Sequence, residues 1–123
     1  VIATDHAPHT PFEKNQDFAS APFGITGLET ALVSLYDRFI RNGVLDWSLI
    51  VKRYSAEPRR LFKLPPVPIE EGSIAEFIVF NPQRTTTFTR DFMKSKSINT
   101  PFLDQTLQGM VERVMYRGVE LKA

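Results

Sequence analysis

The sequence contains no cysteine. That absence excludes a disulfide framework and any thiolate metal site, so a metal could be held only by imidazole nitrogen and carboxylate oxygen. Neither sign of charge is in excess: 15 Lys and Arg stand against 14 Asp and Glu, interspersed along the chain. No basic stripe argues for nucleic acid and no acidic tail for a cationic partner. Missing as well are an apolar run near the roughly 20 residues that cross a bilayer, a signal-peptide pattern, and an Asn-x-Ser/Thr sequon. These lacks together predict a soluble, cytoplasmic protein without membrane contact. Internal repeats and low-complexity tracts are absent too. With 42% hydrophobic and 24% charged residues in 123, the composition is that of one globular domain. The chain begins inside an apolar, strand-like run with no Met and no polar leader, which predicts a fragment.

Histidine is nearly absent, and its placement carries the chemistry. Both histidines, His6 and His9, fall in the opening VIATDHAPHT, beside Asp5. Val1 to Thr4 read as a short strand ending in acid and imidazole side chains, a common way to aim catalytic groups into a cleft. Three readings of this cluster compete. Asp5 and His9 could cap a turn around Pro8 with His6 bonded in a core; the cluster could be a metal site; or it could be part of an active site whose metal is assembled elsewhere. A complete zinc site needs about four ligands, and the chain has no further histidine to offer.

Residues 10–26, TPFEKNQDFASAPFGIT, read as a long unpatterned loop, of the kind that is functional or mobile. Thr26-Gly27-Leu28-Glu29 has the form of a capping box. The spacing of Leu28, Ala31, Leu32, Leu35, Tyr36, Phe39 and Ile40 predicts one apolar face of a helix that Gly43 ends. Asp46 is placed to cap a second helix and Ser55 a third, with Pro58 in the first turn of the latter. Leu64-Pro65-Pro66-Val67-Pro68 predicts an extended connector and a domain boundary. Beyond it, residues 74–80, 85–88, 109–116 and 119–121 read as short strands, the second and third separated by the unpatterned KSKSINTPF and the last two joined by an Arg117-Gly118 turn.

A strand at residues 1–4 would have no strand of its own kind to pair with in the helical half. VIATDHAPHT, a long loop, GITGLETAL, SKSINTPF and LQGMV, in that order, resemble the C-terminal third of the dihydroorotase family in the amidohydrolase superfamily. The resemblance implies an α/β fold: the C-terminal part of a TIM-type (β/α)8 metal-dependent hydrolase barrel plus part of a small β-sandwich domain. Residues 1–64 would be the last strand and C-terminal helices of the barrel, and residues 65–123 the C-terminal strands of the composite sandwich. It implies zinc, one or two ions, with most ligands outside this chain. It implies Asp5 as metal contact and general acid and base, His9 as the residue that binds the substrate carboxylate, and the backbone of Phe23 and Gly24 as contacts to the substrate ring. His6, next to Asp5, would point the other way and be structural. Phe23 departs from a common Pro-Gly pair, a change that a backbone contact survives.

The implied activity is the reversible cyclisation of N-carbamoyl-L-aspartate to dihydroorotate in pyrimidine biosynthesis, in a homodimer or in association with aspartate carbamoyltransferase. The alternatives are a non-catalytic dihydroorotase-like scaffold and a related cyclic amidohydrolase such as an allantoinase or hydantoinase.

Overall fold

The computed structural model describes residues 1–121; the last two residues of the expected second domain lie outside the described residues. A helical half comes first. After the one-turn helix α1 (Pro11–Lys14) come α2 (Ala31–Leu35), running into a π-turn at Tyr36–Ile40, then α3 (Trp47–Val51), a second π-turn at Lys52–Ala56, and α4 (Glu57–Leu61). An antiparallel sheet of β1 (Phe77–Thr87), β2 (Thr106–Tyr116) and β3 (Val119–Leu121) follows, in the order β1-β2-β3. No helix among the described residues is long and apolar enough to cross a membrane.

Several local signals act as their chemistry dictates. Asp46 caps α3 by accepting from the Leu49 amide at 2.8 Å. Gly43, in the left-handed region, ends the first helical run, with the Gly43 and Val44 amides turning back to the Ile40 and Phe39 carbonyls. Lys63 does the same for α4 at φ 54, and the chain then runs without helix or strand through the prolines. The Arg117-Gly118 turn joins β2 to β3 with both residues at positive φ, the geometry that matches strand twist.

Other expectations are corrected. Val1 to Thr4 form no strand; among the described residues there is only an isolated parallel bridge between His6 and Ile25. A ladder needs a neighbour, and the sheet lies elsewhere in the chain. Thr26 and Glu29 do not form a capping box. Thr26 donates its hydroxyl to the Asn99 carbonyl, and Glu29 turns to the amides of Lys94 and Ser95. The expected apolar face is displaced: Thr30 and Val33 are buried, while Leu28 is 60% exposed and Phe39 43%. Ser55 caps nothing, because α3, the π-turn and α4 run continuously. The wider π-turn, in which the Glu57 amide reaches back to the Lys52 carbonyl, accommodates Pro58, which would otherwise clash in the preceding turn. Asn81-Pro82 does not separate two strands but sits in a bulge inside β1, where Asn81 faces Met110 and Thr85 faces Gln108.

The core joins both halves. Val33 from α2 packs with Phe88, Met93 and Leu107, and Phe80, Ile98 and Phe102 close around them. A second cluster stacks Tyr36 on Trp47 at 5.8 Å, with Phe80 edge-on to both rings. Gly109 lies under it at φ 103, where a Cβ would come within 2.4 Å of Phe80 Cζ and 2.7 Å of Tyr36 Cδ1.

Candidate active site

Asp5 sits in the left-handed region at φ 48, a conformation that aspartate tolerates better than most residues. Its side chain is exposed, and its carboxylate has no hydrogen-bond partner among the described residues. The chain then meets the 23–28 segment. The Ala7 amide donates to the Ile25 carbonyl at 2.9 Å, and His6 Nδ1 accepts from the Gly27 amide at 3.0 Å and the Leu28 amide at 3.4 Å. Accepting at Nδ1 puts the ring proton of neutral His6 on Nε2. His6 therefore does structural work, satisfying donors at the approach to α2.

His9 faces the same segment from the other end of the motif. Its Nε2 donates to the Phe23 carbonyl at 2.8 Å, and its Nδ1 lies 4.0 Å from Glu13 Oε2. Glu13 completes a capping box around α1: its carboxylate accepts from the Thr10 amide and hydroxyl, and its amide donates to Thr10 Oγ1. The Thr10 amide, then the Thr10 hydroxyl, hold the Glu13 carboxyl below its ordinary range, with a smaller contribution from His9. So the stretch read as an unpatterned loop opens with a capped turn, and Asp17 closes a second turn by accepting from the Ala19 and Ser20 amides.

Gly24 is held at φ 118 against this motif. A Cβ there would stand 2.5 Å from Ala7 Cβ and 3.3 Å from His9 Nε2, so a side chain is excluded by both space and backbone conformation. The Phe23 side chain, in contrast, is 90% exposed, and it is the backbone of Phe23 that meets His9. His9, Phe23 and Gly24 are thus brought together, while Asp5 is bonded to none of them.

Zinc does not fit these residues alone. Among the described residues no group of three or more His, Cys, Asp or Glu side chains could hold a metal ion. His6 Nδ1 is taken by two amides and its Nε2 carries the ring proton, while His9 donates from Nε2, so the motif offers the Asp5 carboxylate and His9 Nδ1, short of the about four ligands that zinc takes. An apolar cavity of about 190 Å³ does lie between Ile2, Thr4, Ile25, Ala31 and Phe102, but it includes none of Asp5, His9, Phe23 and Gly24.

No family model matches the chain. Individual proteins do. A dihydroorotase of Macrococcus caseolyticus is 42% identical over 120 residues, covering 95% of this chain and 28% of the relative. One of Carboxydothermus hydrogenoformans is 38% identical over 120 residues, covering 97% and 28%. The chain is a homologue of the dihydroorotases. It spans about 28% of the length of these relatives. Among solved structures, a D-hydantoinase from a Bacillus sp. AR9 superposes with a TM-score of 0.79 at 27% identity, over 94% of this chain and 27% of that one.

In this dihydroorotase homologue two residues at the site escape a reading by motif. Lys14 Nζ donates to the Pro22 carbonyl at 2.8 Å and the Gly24 carbonyl at 3.3 Å. Asn99 Nδ2 donates to the Gly24 carbonyl at 2.9 Å, across 75 positions of sequence. Asn99 lies in KSKSINTPF, the unpatterned stretch between two expected strands. SKSINTPF is one of the segments that resemble the dihydroorotase family, but nothing local says that the Asn99 amide reaches residue 24.

Proposed function

We propose that the protein carrying this chain is a cyclic amidohydrolase of the dihydroorotase type, interconverting N-carbamoyl-L-aspartate and dihydroorotate. The observation that carries this reading is 35–42% identity over nearly the whole chain to several proteins named dihydroorotase. In the proposal the chain is the C-terminal part of a metal-dependent (β/α)8 barrel with strands of its companion β-sandwich, and residues 1–4 pair with barrel strands outside this sequence.

Asp5 is the proposed acid and base. In the hydrolytic direction, the oxygen of water bonds to the ring carbonyl carbon. The Asp5 carboxylate takes the water proton and returns it to the amide nitrogen as the C–N bond breaks, so that the ring opens with no net proton change on the enzyme. An exposed carboxylate with no internal partner is free to make both transfers. His9 and the Phe23 and Gly24 backbone bind the substrate. Zinc enters only as an ion whose other ligands lie outside this chain, with Asp5 offering one oxygen.

The test is turnover by the intact protein with dihydroorotate and with N-carbamoyl-L-aspartate. Interconversion of the two is expected. The likeness to a D-hydantoinase favours one competing reading, a related cyclic amidohydrolase. Hydrolysis of a 5-substituted hydantoin with no action on dihydroorotate would select it, and inactivity on all of these substrates would leave the scaffolding role.

A further inference from the structure

Three consecutive carbonyls of the loop at residues 22–24 are each held by a side chain from a different part of the chain. Lys14 takes that of Pro22, His9 that of Phe23, and Asn99 that of Gly24, where Lys14 makes a second, longer contact. The Phe23 and Gly24 amides, in contrast, have no acceptor among the described residues. In a trans peptide the carbonyl and the N–H of one unit point in opposite directions. A donor fixed on the Pro22 carbonyl therefore aims the Phe23 N–H away from Lys14, and a donor fixed on the Phe23 carbonyl aims the Gly24 N–H away from His9. Each bond also polarises the peptide it holds and strengthens the N–H on the far side.

We propose that Lys14 and Asn99 are positioning residues for substrate, which together with His9 clamp the 22–24 backbone so that the amides of Phe23 and Gly24 form a paired donor site for an oxygen of the substrate. The proposal rests on the dihydroorotase reading and adds to it the residues that hold the backbone contact in place. Asn99 also ties this site to the β module, since its own carbonyl accepts from the Thr26 amide at 2.9 Å.

The experiment uses the intact protein with Lys14→Met, Lys14→Arg and Asn99→Ala. Lys14→Met and Asn99→Ala should each raise KM for dihydroorotate about tenfold and leave kcat within about twofold, because a positional bond to substrate is weakened and the acid–base group is untouched. Lys14→Arg, which keeps charge and donors, should restore most of the loss. Asn99→Ala removes no charge, so it separates clamping from simple attraction of an anionic substrate. A second readout needs no substrate: with selective ¹⁵N labelling, the Phe23 amide should shift in Lys14→Met and the Ile25 amide, which shares its peptide unit with the Gly24 carbonyl, in Asn99→Ala. If the wild type turns over dihydroorotate and either variant keeps KM within about twofold, the clamp is overturned for that residue and the activity stands. If the wild type is inactive, the functional reading fails and the amide shifts alone decide the clamp: unmoved signals overturn it, and moved ones support it.

Discussion

Asp5 and His9 stand four residues apart in one short motif, yet their surroundings assign them different work. Asp5 is unbonded and exposed, while His9 is engaged at Nε2 and has Glu13 near its other nitrogen. In the intact protein Asp5→Asn should lower kcat by about a thousandfold or more with KM little changed, since the amide keeps the left-handed backbone but cannot carry the proton. His9→Ala should mainly raise KM. Steady-state kinetics on both variants checks the contrast, and near-normal turnover by Asp5→Asn would end the acid–base assignment.

Glu29 illustrates the same dependence on partners. Burial disfavours its charge, but the Ser95 hydroxyl and the amides of Ser95 and Lys94 outweigh it and hold the carboxyl below its ordinary range. A carboxyl depressed in the folded state stabilises above its unfolded pKa, and the stabilisation is lost as pH falls through the folded value. Thermal melts of the wild type should therefore lose stability as pH falls from about 5 toward 3, and Glu29→Gln should flatten that slope.

At the scale of elements, what could be foreseen was what depends on near neighbours. The Asp46 cap, the stop at Gly43, the proline connector and the Arg117-Gly118 turn are each decided within a few residues. The misread features are settled by distant partners. Glu29 has the right spacing for a capping box with Thr26 and forms none, because the amides at residues 94–95 compete for its carboxylate and win. Asn81-Pro82 looks like a strand end, but β2 pairs on both sides of it and absorbs the irregularity as a bulge. At the site, Asp5 and His9 could be picked out from a motif, whereas Lys14 and Asn99 acquire their role only once the chain has folded back on Gly24. Packing under the aromatic cluster provides a direct test of one such long-range constraint. Gly109→Ala would force a methyl against Phe80 and Tyr36 at an unfavourable φ, and a loss of about 2 kcal/mol or more is expected in denaturant unfolding.

Taken as a whole, the chain buries little of its apolar surface. Among the described residues Val33, Ile50, Phe88, Met93 and Leu107 are the buried hydrophobics, while Phe12, Phe18, Phe23, Phe62 and Ile69 are each more than 70% exposed. The purified 123-residue chain is accordingly expected to bind a hydrophobic dye and to show no dihydroorotate turnover. Activity from this chain alone, or tight stoichiometric zinc binding by it, would contradict the incomplete metal set described above. Addition of the remaining part of the protein should restore activity.

The clamp around residues 22–24 also bears on what happens when the backbone is cut. Phe18 is 93% exposed on the outer bend of the loop, an inviting place for chymotrypsin, and the residues on its two sides are already fastened to one another through Lys14 and Pro22 and through His9 and Phe23. A nick after Phe18 would open the covalent circuit but leave these bonds across it. Two fragments should then appear on a denaturing gel while the nicked protein still elutes as one particle, its substrate affinity close to that of the uncut form.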